Sequence, residues 1–238
     1  MMILTLAKRE LSSLFFSPIA YVVLGAFAIG ASTFFMQGFE PGQPASMRST
    51  FDAVVWLLVF LAPAISMRLI SEELRSGTFE RLMTSPVSDA QVVLGKWLGA
   101  LVFFCVMLLP LVVHAITLEM VGSPEFGPIV TGLLGLVLVG ALYLAIGVFA
   151  SAWSQNQIIA FLVTVFIIAL PTFAAYYVSG QTTPDPAMRR LIDYISVNQQ
   201  YADFAKGLID IRNFVYFATG TALFLFLSVV LVQSRRWR

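Results

Sequence analysis

The sequence predicts an all-α integral membrane protein with six transmembrane helices. Three observations predict it. The 238 residues are 59% hydrophobic and 11% charged, against about 25% charged in soluble domains, and the mean hydropathy is +0.88. That much apolar surface requires lipid as its solvent. Apolar stretches long enough to cross a hydrocarbon layer recur six times. Charge is dense only at residues 63–97, where Arg68, Glu72, Glu73, Arg75, Glu80, Arg81, Asp89 and Lys96 form an island between two of those stretches. The net charge of +1 argues against nucleic acid as a partner. The single Cys105 excludes a disulfide framework and reads as a small buried hydrophobe.

Residues 1–17 place Leu4, Ala7, Leu11 and Leu14 on one helical face, with Lys8, Arg9 and Glu10 elsewhere. This predicts an amphipathic helix in the headgroup region, not a removable signal peptide, since no cleavage site is visible and more spans follow. Spans are expected at about 18–36, 51–67, 92–118, 129–150, 158–178 and 213–233 within a single domain, 1–238. The second span is short, and Pro63 is expected to kink it near its exit. In the charged loop, 68–91, Ser71 reads as a helix N-cap with Glu72 and Glu73 in the first turn. Gly77 marks a bend or a close backbone approach, because glycine inside a helix costs about 1 kcal/mol relative to alanine. Ser85-Pro86 ends that element, and Ser88-Asp89-Ala90-Gln91 is a capping box for the next.

The third span carries Pro110 midway and the chain's one histidine, His114, which reads as an interhelical hydrogen-bonding group; a metal site would need further ligands nearby. A loop is expected at 119–128. The fourth span is rich in glycine, suited to close helix packing. Ser154-Gln155-Asn156-Gln157 reads as a capping box in a tight turn. The segment 179–211 differs from the rest. Asp185-Pro186 reads as N-cap and first helical position, and Val197, Tyr201, Phe204, Leu208 and Ile211 recur at helical spacing. One or two short amphipathic helices are predicted there, on or dipping into the membrane.

Six spans put both termini on one side. Lys8, Arg9, Arg68, Arg75, Arg81, Lys96, Arg235, Arg236 and Arg238 fall on the side of the termini and charged loop, against Arg48, Arg189, Arg190, Lys206 and Arg212 opposite. The positive-inside rule therefore makes the termini and the charged loop cytoplasmic and turns 179–211 outward. No phosphate-binding G-x-x-x-x-G-K-[ST] or G-x-S-x-G is present. Apart from His114, for which a proton relay is the alternative to an interhelical hydrogen bond, the span interiors carry no acidic or basic residue of the kind on which ion-coupled carriers depend, and no internal repeat is evident. No catalytic activity is expected of this chain; the energy must arrive from outside it.

The run 63–97 closely resembles the signature region of ABC-2 type transporter permeases, through Glu72-Glu73, Ser76-Gly77-Thr78, Glu80, Ser85-Pro86 and Gly95-Lys96. The opening RELSSLFFSPIAYVVLG and the end of the chain look most like the gliding-motility-type bacterial branch. The resemblance covers nearly the whole length. It implies a coupling helix in the charged loop, with Glu72, Glu73, Arg75, Gly77, Thr78, Glu80 and Arg81 meeting a cytoplasmic ATPase subunit. It also implies that ATP is bound by that subunit, so this chain holds no cofactor. The expected setting is a multi-pass protein of the bacterial inner membrane working as an exporter. Its expected partners are the ATPase, a second permease copy or paralogue, an auxiliary outward-facing membrane protein, and the bilayer. Tyr201, Phe204 and Leu208 are candidates for an outer gate closing a pathway between two copies. An ion-coupled carrier, or a non-transporting anchor or assembly subunit, are the competing classes. A neighbouring reading frame encoding a phosphate-binding loop would favour the first.

Overall fold

The computed structural model describes residues 2–38, 46–78, 87–179 and 186–235 of the protein. Among these every regular element is a helix: α1 (Met2–Phe15), α2 (Pro18–Gln37), α3 (Arg48–Ser66), α4 (Ser71–Ser76), α5 (Asp89–Met107), α6 (Leu109–Val121), α7 (Phe126–Trp153), α8 (Gln157–Ser179), α9 (Pro186–Ile195), α10 (Val197–Ala205) and α11 (Ile211–Arg235). Among the described residues six segments are long and apolar enough to cross a membrane: α2, α3 with α4, α5 with α6, α7, α8 and α11.

α7 and α3 are the most enclosed of these. α7 packs against α3, α5, α8, α10 and α11, and α3 against α2, α7 and α8. The other spans present Val22, Ile29, Val113, Phe166, Phe173 and Phe226, among others, at the surface, which is ordinary where the solvent is hydrocarbon. The N-terminal helix α1 lies along α5. Gly95 and Gly99, one helical turn apart, allow that approach: a Cβ at Gly95 would stand 2.6 Å from the Cβ of Leu6, and one at Gly99 2.8 Å from the carbonyl oxygen of Ala7. This is the small-xxx-small geometry of membrane helix pairs. Of the expected apolar face of α1, Ala7 and Leu14 are buried and Leu11 packs on the core, whereas Leu4 is exposed.

The ends of the bundle follow from contacts along α7. Near its C-terminus lie the α3–α4 junction, held by Ser151, and Arg235, whose Nη2 donates to the Trp153 carbonyl at 2.8 Å. A cation at this position complements the dipole. Arg68 binds Ser17 Oγ and donates to the Ser13 carbonyl at 3.2 Å, which brings the end of α1 to the same end of the bundle. α10 sits at the opposite end, on the first turns of α7.

Several local expectations are met. Ser88 Oγ accepts from Gln91 N at 3.3 Å while Gln91 Oε1 accepts from Ser88 N at 3.1 Å, a complete capping box. His114 on α6 bonds through Nε2 to Ser32 Oγ of α2 at 3.1 Å and stacks on Phe35 at 4.7 Å, an interhelical role.

Others are corrected. Ser71 does not cap α4: it is already helical, and its hydroxyl donates back to the Met67 carbonyl. The capping of α8 falls to Asn156, whose Oδ1 accepts from Ile158 N at 2.9 Å, while Ser154 serves only the turn by accepting from Asn156 N. The third span is two helices that meet at Leu108. Pro110 has no N–H for the Val106 carbonyl, and Leu108 N–H turns to that carbonyl as well as to Phe104. The following loop is shorter than expected, because α6 runs to Val121 and α7 starts at Phe126. Cys105 is exposed on the outer face of α5, where lipid tolerates a thiol as readily as a core would. Ser85-Pro86 and Asp185 lie outside the described residues.

Candidate functional site

Within the charged segment, residues Ser71–Ser76 fold as a short helix fastened on one side and exposed on the other. α3 ends at Ser66, and Leu69 and Ile70 are buried before α4 begins. The backbone groups left free at this junction are taken up by one side chain from α7. Ser151 Oγ accepts from Ile70 N at 3.0 Å and Ser71 N at 2.9 Å, and donates to the Met67 carbonyl at 3.0 Å. A fully buried hydroxyl thus caps a helix from another element, answering the unpaired donors of a helix start. Gly147, one turn earlier on α7, leaves room for Ser66.

A second attachment is ionic. Lys96 of α5 places Nζ 2.9 Å from Glu10 Oε2 of α1 and 2.8 Å from Glu73 Oε1 of α4. The Lys96 side chain is only 7% exposed, against 15% for Glu10 and 20% for Glu73. At that burial the ammonium needs both carboxylates as hydrogen-bond acceptors, and they need it to avoid facing each other unscreened. Glu73 Oε2 has no hydrogen-bond partner among the described residues, and Arg9 lines the same crevice. α1, α4 and α5 therefore meet at one ammonium.

The two attachments sort the expected coupling residues into faces. Ser71 is buried, Leu74 packs on the core, and Thr78 is half-buried. Glu73 is turned inward, committed to Lys96. Glu72, Arg75, Ser76 and Gly77 are exposed. Gly77 has φ +69°, and a Cβ there would meet nothing within 4 Å. Its glycine is required by the left-handed turn ending α4 and not by packing against the described residues. Ser76 Oγ and Thr78 Oγ1 lie 2.8 Å apart across that turn. Glu80 and Arg81 lie outside the described residues.

At the opposite end, the expected stripe divides. Val197, Tyr201 and Phe204 of α10 are buried, whereas Leu208 and Ile211 lie beyond the helix and are exposed. The buried members face α7 of their own chain: a Cβ at Gly135 would stand 2.8 Å from Phe204 Cβ and 2.9 Å from Tyr201 Cε2. Thr131 Oγ1 donates to the Phe204 carbonyl at 2.7 Å, and Tyr201 OH to the Gly132 carbonyl at 3.3 Å. Burial first, and then the Asp52 carboxylate, push the Tyr201 phenol above its ordinary range, so it remains a neutral donor.

The Ser151 junction and the Lys96 triad are not apparent from local sequence. Each joins residues far apart in the chain. The one available signal was Lys96 itself, a lysine at a span end beside the helix-packing Gly95. No cluster of three or more histidine, cysteine or acidic residues suited to a metal occurs among the described residues.

The family model described as ABC-2 family transporter protein matches residues 13–235. No curated protein matches the chain.

Proposed function

This chain belongs to the ABC-2 transporter family and is a multi-pass membrane permease, and we propose that it is the membrane subunit of an ATP-driven exporter of the gliding-motility-type branch. A separate cytoplasmic ATPase subunit docks on the exposed face of α4, through Glu72, Arg75, Ser76 and Gly77, with Glu80 and Arg81 continuing the contact. Thr78 holds the turn behind that face, and Glu73 anchors it. One observation carries the reading: α4 is open on one side and fastened on the other to α1, α5 and α7, so force applied at its outer face enters three elements of the bundle. The termini and α4 face the cytoplasm of a bacterial inner membrane, ATP is bound by the partner, and a second permease copy or paralogue completes the pathway. An auxiliary outward-facing membrane protein completes the proposed assembly. Of the gate candidates, Leu208 is the one exposed at the outer end; Tyr201 and Phe204 hold α10 in place beneath it.

Glu72→Lys with Arg75→Glu is expected to reduce co-purification of the ATPase on the order of tenfold or more, since like-charge contacts at an interface cost several kcal/mol. The melting temperature should not move, because neither residue is buried. Normal ATPase recovery with the double variant would refute docking at this face.

Cysteines introduced at Ser76 and Gln199, both exposed, in a Cys105→Ala background should be labelled from opposite sides of the membrane by an impermeant maleimide in intact cells. Labelling of both from outside would refute the proposed orientation and the six crossings together.

A further inference from the structure

At the end of the bundle away from the termini, α9 and the start of α11 form a surface too apolar for water. Leu191, Tyr194 and Ile195 of α9 are exposed, as are Leu208, Ile209, Ile211 and Phe214. α9 is fixed against the last span: Tyr216 OH donates to the Ile195 carbonyl at 2.7 Å, and the Tyr194 and Tyr216 rings meet edge to face at 6.1 Å. The apolar surface continues through Val215 onto Leu223, Phe226 and Val230 of α11, a face directed at the hydrocarbon.

Charge borders this surface unevenly. Among the described residues its carboxylates are engaged: Asp193 with Arg189 at 3.9 Å, Asp203 with Lys206 at 3.4 Å and Asn213 at 3.0 Å, and Asp210 with the Arg212 amide at 2.8 Å. Arg190 and Arg212 have no carboxylate within ion-pair distance among the described residues, and the Arg212 guanidinium lies 5.7 Å over the Tyr194 ring. Guanidinium groups bind phosphate as a planar fork, and cations along an apolar helical face favour anionic lipid.

We propose that the α9–α11 corner binds the anionic phospholipid headgroups of the leaflet opposite the termini. Arg190 and Arg212 take the phosphate, and Leu191, Tyr194 and Ile195 enter the acyl boundary. Continuity with the hydrocarbon-facing side of α11 selects lipid over a soluble partner. This assignment is independent of ATPase docking on α4.

The full-length Cys105→Ala, Leu191→Cys protein, labelled with an environment-sensitive fluorophore, tests it in phosphatidylcholine vesicles with and without phosphatidylglycerol. The fluorophore should be shielded from iodide and quenched by lipid spin-labelled near the headgroup. Spin-labelled phosphatidylglycerol should be preferred over spin-labelled phosphatidylcholine on the order of fivefold per guanidinium. Arg190→Gln should remove part of that preference without exposing the dye to iodide, and Arg190→Lys should retain most of it. Free quenching by iodide, shielding from both quenchers, or equal quenching by the two lipids would each overturn the proposal.

Discussion

Phe204→Ala is expected to destabilise the protein by about 3–5 kcal/mol, the range for deleting a buried aromatic side chain. Phe204 has no exposed surface, and its Cβ fills the groove left by Gly135. It also meets the Phe217 ring at 6.3 Å, so one side chain joins α10 to both α7 and α11. Phe204→Asp should be worse, because it would bury a carboxylate at a fully enclosed apolar position. Thermal unfolding of the detergent-solubilised protein, followed by size-exclusion chromatography, checks both. Leu208→Asp is the contrast: Leu208 is exposed, so the change leaves no cavity and should cost the melting temperature far less than Phe204→Ala. If Phe204→Ala melts with the wild-type protein, α10 is not seated on α7 as described. If Leu208→Asp alters ATPase activity of the assembled complex while leaving melting unchanged, the outer-gate reading gains its support from that residue alone.

Lys96→Ala should cost on the order of 3 kcal/mol, because removing one partner of a buried ion cluster leaves charge uncompensated. Here the loss is compounded, since Glu10 and Glu73 would remain close together without the ammonium between them. Adding Glu73→Gln to Lys96→Ala should recover part of the loss, because the amide removes the like-charge contact. The same double variant should keep α4 loose, so that ATPase co-purification recovers less than stability does. Melting temperature and ATPase recovery, measured side by side on the two variants, separate these effects. Equal melting for Lys96→Ala and the wild-type protein would show that the triad contributes nothing to the fold.

What could be read from the residues depended on range. The Ser88 capping box and the turn at Gly77 are set by neighbours a few positions away, and both were legible. So was the all-helical, six-span plan, which follows from hydropathy over windows of about twenty residues. The periodicity of Val197, Tyr201 and Phe204 correctly marked a face that must be covered. It carried no information about what covers it, and the answer was α7 of the same chain. Glu73 shows the same limit from the other side: it shares a sequence context with Glu72, yet one carboxylate is committed to Lys96 and the other is exposed. Cys105 is exposed rather than buried, because burial statistics from water-soluble proteins do not apply where exposed surface is already apolar. Ser151 was unreadable, since nothing near it in sequence identifies the amides it serves.

The distance along the chain between Ser151 and those amides bears on how the protein is made. Ile70 and Ser71 precede their acceptor by 81 and 80 residues. At about 5–20 residues per second, the ribosome supplies Ser151 roughly 4–16 s after the amides have emerged. Through that interval the loop helix has water for its cap. Lys96, the last member of the ionic triad to be made, follows Glu10 by 86 positions and Glu73 by 23, and it precedes Ser151. The ionic clasp therefore becomes available first, as span three emerges, and the hydroxyl clasp only once span four is in the bilayer. Biogenesis thus fastens the loop helix in two stages, and the exposed face of α4 reaches its final pose only when the central helix arrives.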